Sequence, residues 1–136
     1  MFLRREAQIP TALIGTEIAS AVPADQLEKV LRKGTSVTVD GGTELMGEDT
    51  FGREFLILLA GSAAVQRGGS DLATLAVGDI AGEMAILDYS LRTATVTSLE
   101  ECTVMAFSRR EMLAALAENE AFASFVRSTA AARQAA

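Results

Sequence analysis

Three residues near the middle of the chain have types and a spacing that suit anion binding. Gly82 opens a short segment with a helical pattern, Ala85 lies within it, and Arg92 follows Gly82 by ten positions. The free N–H groups of a helix's first turn carry partial positive charge, and neither Gly82 nor Ala85 has a side chain large enough to obstruct them. The planar guanidinium of Arg92 can bond two phosphate oxygens at once. This spacing predicts a phosphate site.

Glu83 lies beside the predicted phosphate site and requires a partner of a different kind. An ionised carboxylate only accepts hydrogen bonds, so it is unsuited to a phosphate but suits a sugar hydroxyl next to it. One phosphate together with one ribose hydroxyl indicates a nucleotide.

A longer pattern around these residues resembles the cassette of a known family. Gly82-Glu83-x-Ala85, six intervening residues and then Arg92-Thr93-Ala94-x-Val96 is similar to the phosphate-binding cassette of the cyclic nucleotide-binding domain family. The likeness extends from Val37 to Phe107, over which the order of the strands follows the family. Several glycines also fall where the family has its barrel glycines and its Gly-Asp lead-in: Gly52, Gly61 and Gly78, which precedes Asp79.

The resemblance implies a role for the cassette residues. Gly82 and Ala85 would offer backbone to the phosphate, and Glu83 would accept from the ribose 2′-hydroxyl. Arg92 would pair with the cyclic phosphate, where Thr93 adds a hydroxyl. The residues expected to bind the ligand are Gly82, Glu83, Met84, Ala85, Arg92, Thr93 and Ala94.

The cassette contacts ribose and phosphate, which cyclic AMP and cyclic GMP share, so it says little about the base. The hydroxyl of Thr93 can bond a guanine amino group, as in cyclic-GMP-selective relatives, but bacterial cyclic-AMP binders often carry serine or threonine there too. We expect cyclic AMP rather than cyclic GMP, and no further cofactor.

Two departures from the family pattern concern loops. Leu91 stands where a proline commonly precedes the arginine, which predicts a looser loop before Arg92. The triplet Gly47-Glu48-Asp49 scrambles the usual Glu-Gly-Asp order, in a turn far from the cassette in sequence.

Composition limits the possible partners and the compartment. The chain of 136 residues has a net charge of −6, with 18 acidic and 12 basic residues and no cluster of Lys or Arg, so direct binding of nucleic acid is not expected. The single cysteine, Cys102, lies in an apolar run and is expected to be a buried free thiol, which fits the cytoplasm. No apolar stretch approaches the ~20 residues of a membrane span.

The residue types argue against catalysis. The chain has no histidine, so the commonest acid–base group and metal ligand is missing, and Ser90 has no histidine to activate it. Asp88 together with Glu83 is as easily explained by solvation and ribose binding. We expect neither an enzyme nor a metal site.

The hydrophobic period divides the chain into three parts within a single domain, 1–136. Residues 1–34 are predicted helical, 35–107 alternate as short strands with glycine turns and contain the cassette at 82–96, and 108–136 are predicted helical. The fold class is therefore mainly β with flanking helices. We predict an antiparallel β-barrel or jelly roll (double-stranded β-helix) with a short phosphate-binding helix.

The flanking helices allow two interpretations. A capping box at Ser108 starts one C-terminal helix, Asn119-Glu120 breaks it, and a second helix carries an apolar stripe that includes Phe122 and Val126. This last helix is either a lid that closes over the base or permanent packing on the barrel or on another subunit. The N-terminal helices are simply expected to cover one end of the barrel.

We therefore expect a stand-alone cyclic-nucleotide sensor whose terminal helices transmit ligand binding to an effector protein or a sister subunit. Two alternatives stay open. The domain could be a scaffold with a degenerate pocket that acts as a protein-interaction platform, or the sensor module of a longer transcription regulator or enzyme.

Overall fold

The computed structural model of the chain describes residues 8–88 and 90–135. Met1–Ala7, which belong to the predicted N-terminal helical part, lie outside the described residues. Tyr89 of the predicted cassette and the terminal Ala136 also lie outside them.

Helices occupy both ends of the described chain and strands its centre. A short 3₁₀ turn, Thr11–Leu13, precedes helices α1 (Glu17–Ala21) and α2 (Ala24–Lys33). The strands are β1 (Thr35–Val39), β2 (Glu44–Met46), β3 (Glu54–Ala60), β4 (Ala63–Arg67), β5 (Ser70–Leu75), β6 (Ile80–Ala81), β7 (Thr95–Ser98) and β8 (Cys102–Ser108). Helix α3 (Glu83–Asp88) lies between β6 and β7, and α4 (Arg109–Glu118) and α5 (Glu120–Ala135) follow β8. Within 8–88 and 90–135, no helix is long and apolar enough to cross a membrane.

The eight strands form two antiparallel four-stranded sheets. One sheet has the order β1-β8-β3-β6 and the other β2-β7-β4-β5. Strand β3 pairs with β8, with Phe55 opposite Phe107, and on its other side with β6, with Leu56 opposite Ala81. The predicted jelly roll with flanking helices and a short central helix is therefore confirmed.

The main core lies between the first sheet and the helices. The ring of Phe55 on β3 contacts Phe107 on β8 at a centroid distance of 5.7 Å and Phe122 on α5 at 6.2 Å in an edge-to-face arrangement. All three rings are fully buried, together with Ile18 of α1 and Leu27 of α2. Helix α5 therefore begins as part of this main core.

The boundaries of the C-terminal helices agree with the predicted signals. Ser108 and Glu111 form the capping box, with the Glu111 N–H donating to Ser108 Oγ at 3.1 Å and the Ser108 N–H donating to Glu111 Oε1 at 2.8 Å. The predicted break is confirmed, because α4 ends at Glu118 and α5 begins at Glu120. Asn119 is buried between them, and its side-chain amide donates to Ala115 O.

Gly34 follows the last residue of α2, at the end of the predicted N-terminal helical part, and it does not form a left-handed cap. Its φ is −94°, which any residue can adopt. A Cβ at this position would lie 2.8 Å from the Met105 side chain and 2.9 Å from Ala106 O. Gly34 is thus required by the close approach of β8 to the end of α2.

Candidate functional site

Gly82 joins β6 to α3 at the centre of the candidate site. Its φ of +89° is in the left-handed region that side-chain-bearing residues avoid. A Cβ here would lie 2.7 Å from Arg92 Nη1 and 2.7 Å from Glu54 O. The backbone of β6 therefore turns into α3 close to the Arg92 guanidinium.

The loop before Arg92 is held by backbone contacts to the β2–β3 connection. Leu91 forms an isolated antiparallel bridge with Phe51. The Arg92 N–H donates to Thr50 O at 2.7 Å, and the Asp49 N–H donates to Arg92 O at 2.9 Å. Leu91 and Arg92 are therefore bonded to the β2–β3 connection even though the proline is missing. The turn at 47–49, distant in sequence, lies against the cassette.

Arg92 is more deeply placed than the sequence suggested. Its side chain is only 8% exposed, and Nη2 donates to Glu54 O at 2.6 Å, so β3 positions it and not a ligand alone. Burial lowers the pKa of the Arg92 guanidinium, and the nearby Glu54 and Glu83 carboxylates offset part of that shift. Because a guanidinium stays protonated in proteins, the site holds a buried positive charge that an anion would stabilise.

Glu83, the first residue of α3, is 2% exposed and has an ion-pair partner that the sequence analysis missed. Arg133 in the last turn of α5 donates from Nη1 to Glu83 Oε1 at 2.6 Å and from Nη2 to Ile80 O at 2.7 Å. Fifty positions separate the two residues, so no local spacing could reveal the pair. The only sign of this ion pair in the sequence was a single basic residue, Arg133, in the last turn of a predicted helix.

Two buried polar atoms at the site have no hydrogen-bond partner among the described residues. They are Glu83 Oε2, an acceptor, and Arg92 Nη1, a donor. Buried groups of this kind normally have partners, because leaving one unsatisfied costs roughly 1–3 kcal/mol, and more when it is charged. A ligand that offers a hydroxyl to Glu83 and an anionic oxygen to Arg92 would satisfy both.

The structure brings the predicted residues together around one cavity of about 360 Å³. All seven residues expected to bind a ligand line it: Gly82, Glu83, Met84, Ala85, Arg92, Thr93 and Ala94. The opposite wall is formed by Met46 and by the hairpin of β4 and β5, and Arg133 of α5 contributes as well. This volume is in the range of small-molecule pockets.

The lining combines charged, hydroxyl and apolar side chains. Its polar side chains are Arg67, Glu83, Arg92, Thr93 and Arg133. In the parts of the chain that the structure describes, no group of three or more His, Cys, Asp or Glu side chains could hold a metal ion. The arrangement can bind an anion and a hydroxyl within one partly apolar cavity.

Comparison with known proteins agrees with this geometry. The sequence profile of the cyclic nucleotide-binding domain matches residues 36–119, which is more than half of the chain and includes the cassette and all of both sheets except Thr35. The chain therefore belongs to the cyclic nucleotide-binding domain family.

Individual relatives share the domain over part of their length. A cGMP-dependent protein kinase of Drosophila melanogaster, isozyme 2, is 26% identical over 107 residues, which are 79% of this chain and 10% of the kinase. The catabolite activator protein of Thermus thermophilus has the same fold, with a TM-score of 0.75 and 22% identity over 90% of this chain and 57% of that one. The PKAR CBD2 domain bound to Sp-2Cl-cAMPS has a TM-score of 0.71 and 25% identity over 76% of this chain and 70% of that one. The chain thus spans only a small part of the kinase.

Proposed function

We propose that this domain binds a cyclic nucleotide in the cavity beside α3 and passes the binding event to an effector protein or a sister subunit through its C-terminal helix. The observation that carries the proposal is the pair of unpartnered buried atoms, Glu83 Oε2 and Arg92 Nη1, on the wall of one cavity. The cyclic phosphate satisfies the arginine and the ribose 2′-hydroxyl satisfies the carboxylate. Cyclic AMP and cyclic GMP share both groups, so the proposal covers both ligands.

The proposed transmission to α5 runs through the two oxygens of Glu83. Arg133 occupies Oε1, and the ribose takes Oε2, so one carboxylate contacts the ligand and the C-terminal helix together. A ligand shifts a conformational equilibrium only by its differential affinity for the two states. A bound ligand that holds Glu83 in the orientation that Arg133 requires has a higher affinity for the state in which this ion pair is formed. We therefore infer a regulatory rather than a catalytic domain.

Calorimetric titration of Arg92→Ala with cyclic AMP and cyclic GMP tests the proposal. The substitution removes two charge-assisted hydrogen bonds to the phosphate and should weaken binding by on the order of a hundredfold or more. Arg92→Lys should also be impaired, because a point charge on a flexible stem does not reproduce the two-pronged contact.

Arg110→Ala is the matched control, since Arg110 is an exposed arginine on α4 outside the cavity. Circular dichroism on each variant shows whether the fold is retained. If folded Arg92→Ala and Glu83→Ala proteins both bind cyclic nucleotide as tightly as the wild type, the site lies elsewhere.

A further inference from the structure

The outer edges of the two sheets differ in how well they are protected against pairing with another chain. An edge strand presents unpaired backbone N–H and C=O groups, and proteins block such edges with short strands, bulges, charged side chains or proline. Strand β6 has only two residues, and both are buried. Strand β2 is three residues long, carries Glu44 and has a register shift against β7. Strand β5 carries Asp71 and has a register shift against β4.

Strand β1 has none of these protective features. It lies at one end of the first sheet, and its register with β8 is continuous over all five residues. Four of these residues are exposed. The sequence Thr-Ser-Val-Thr-Val contains neither a charged residue nor a proline, and it is rich in β-branched residues, which favour strand pairing. Of the four edges in the part of the chain that the structure describes, β1 is therefore the one that can accept a further strand.

The edge at β1 also leaves part of the barrel interior uncovered. A second core cluster lies between the two sheets and includes Val96 on β7 and Val104 on β8. Val37 on β1 is directly opposite Val104, so the two side chains lie on the same face of the sheet. Val104 is only 3% exposed, whereas Val37 is 40% exposed. A strand added beside β1 would cover this valine.

The sequence of β1 is complementary to itself in an antiparallel pair centred on Val37. In that register Val37 lies opposite Val37 of a second copy, Thr35 lies opposite Val39, and Ser36 lies opposite Thr38. Because directly opposite residues share a face, the valines and Thr35 fall on the inner face of the joined sheet. The two hydroxyl residues, Ser36 and Thr38, fall together on its outer face. Every residue of the strand therefore meets a partner of compatible polarity.

The residues that flank β1 favour the antiparallel direction. Lys33 precedes the strand, and the exposed Asp40 follows it. An antiparallel pair centred on Val37 places Gly34 opposite Asp40, so that Lys33 of each copy lies near Asp40 of the other. Lys33 already pairs with Glu118 of its own chain, but an ammonium group has three donors and can bond a second carboxylate. A parallel pair would instead bring like charges together at each end.

We propose that β1 is a docking surface for β1 of a second copy of this chain, which joins the two first sheets into one continuous antiparallel sheet. The interface is isologous, because the same strand supplies both sides of a two-fold contact. A single short strand from each copy gives a small interface, and we expect a dissociation constant on the order of tens of micromolar. The proposal is independent of nucleotide binding, since none of the residues of β1 lines the cavity beside α3.

Two double variants that differ only at position 38 test the proposal. In Ser36→Lys/Thr38→Lys, the proposed register places introduced lysines directly opposite each other, which is destabilising. In Ser36→Lys/Thr38→Glu, the same register places each introduced lysine opposite a glutamate. Sedimentation velocity from about 1 to about 500 µM should show a monomer–dimer equilibrium for the wild type. Ser36→Lys/Thr38→Lys should associate at least about tenfold more weakly, and Ser36→Lys/Thr38→Glu should stay within about threefold of the wild type.

Both substituted positions are exposed, and circular dichroism of each variant shows whether the fold is retained. A wild type that stays monomeric up to the highest concentration would overturn the proposal. So would a Ser36→Lys/Thr38→Lys protein that associates as tightly as the wild type, because another surface would then hold the dimer. Equal weakening in the two double variants would contradict the antiparallel register. A wild type that dimerises through β1 but binds no cyclic nucleotide would support this proposal and remove the proposed function.

Discussion

Glu83 is a buried carboxylate that is only half satisfied. One oxygen is held by Arg133, and the other has no partner among the described residues although the side chain is 2% exposed. Burying a charge is tolerated when it is paired and when its remaining lone pairs are hydrogen-bonded. The free oxygen therefore makes the domain without ligand less stable than its packing allows, and a donor that fits the cavity removes that penalty.

The role of Glu83 can be isolated by chemistry on the ligand. Glu83→Ala removes the acceptor for the 2′-hydroxyl, and a hydrogen bond to a charged group contributes roughly 1.5–3 kcal/mol, so binding should weaken at least about tenfold. The wild type should discriminate against the 2′-deoxy cyclic nucleotide by a similar factor, and Glu83→Ala should not discriminate. Calorimetric titration of the wild type and of Glu83→Ala, each with the ribo and the 2′-deoxy cyclic nucleotide, measures the interaction between Glu83 and the 2′-hydroxyl.

Arg92→Ala is the control for this comparison of two proteins and two ligands, because it should lower affinity for the ribo and the 2′-deoxy ligand by the same factor. A Glu83→Ala protein that still prefers the ribonucleotide by the wild-type ratio would place the 2′-hydroxyl away from this carboxylate.

The cavity-lining residues that the sequence singled out are close together in the chain, and the ones it missed come together only through the fold. Gly82, Glu83 and Arg92 belong to one short segment, so their spacing alone indicates their chemistry. Arg67 and Arg133 reach the same cavity from β4 and α5, and only the packing of those elements brings them there. The burial of Arg92 was also missed, because its partner Glu54 O is a backbone group on another strand.

At the scale of elements, α5 has two ends with different environments. Its first turns are anchored by Phe122 and Val126, both fully buried in the main core. Its last turns carry Arg133, which donates to Glu83 on α3 and to Ile80 on β6, and Gln134, which donates to Asp88 on α3 at 3.5 Å. The sequence left open whether this helix is a lid or fixed packing, because an apolar stripe is compatible with both. In the structure the first half of the helix is packed in the main core.

Amide hydrogen exchange should divide α5 at about its middle. Amides near Phe122 and Val126 should be protected with or without ligand, because they belong to the core. Amides from Thr129 to Gln134 should exchange faster in the free protein and slow several-fold when a cyclic nucleotide fixes Glu83. In Arg133→Ala that ligand-dependent gain should disappear.

Arg127→Ala is the control on the same helix, since Arg127 is exposed and does not line the cavity. Equal protection of residues 129–134 in the free and the ligand-bound protein would mean that α5 does not respond to the site.

At the scale of the whole molecule, the charge of the cavity lining is opposite in sign to the net charge of the protein. The chain carries a net charge of −6, whereas three arginines and one glutamate line the cavity. A local positive potential attracts a small anion, and an acidic surface repels the extended phosphate backbone of nucleic acids. Composition predicted the overall repulsion, but the concentration of positive charge inside the fold depends on three separate elements and could not be counted from the sequence.

Ligand binding should raise the free energy of unfolding of the whole domain by a measurable amount. A ligand present at a hundredfold excess over its Kd stabilises the native state by about 2.7 kcal/mol when it does not bind the unfolded chain. For a domain of this size that corresponds to a rise in Tm of several degrees. Differential scanning calorimetry of wild type and Arg92→Ala at the same ligand concentration should show the rise only in the wild type.

In Arg110→Ala the ligand should raise Tm by the same amount as in the wild type. A full shift in Arg92→Ala would indicate that the nucleotide stabilises the protein from a site other than this cavity.

The position of Arg133 in the cavity wall bears on the dissociation rate of a ligand as well as on its affinity. Variation in affinity among closely related binding sites is expressed mainly in how fast the ligand leaves. The last turn of α5 is a helix end held by the two hydrogen bonds of Arg133 and a longer one from Gln134 to Asp88, and helix ends open and close far faster than domains unfold. Under the proposed function, the strength of that end therefore sets the residence time of the nucleotide, and with it how long the signal lasts after the ligand concentration has fallen.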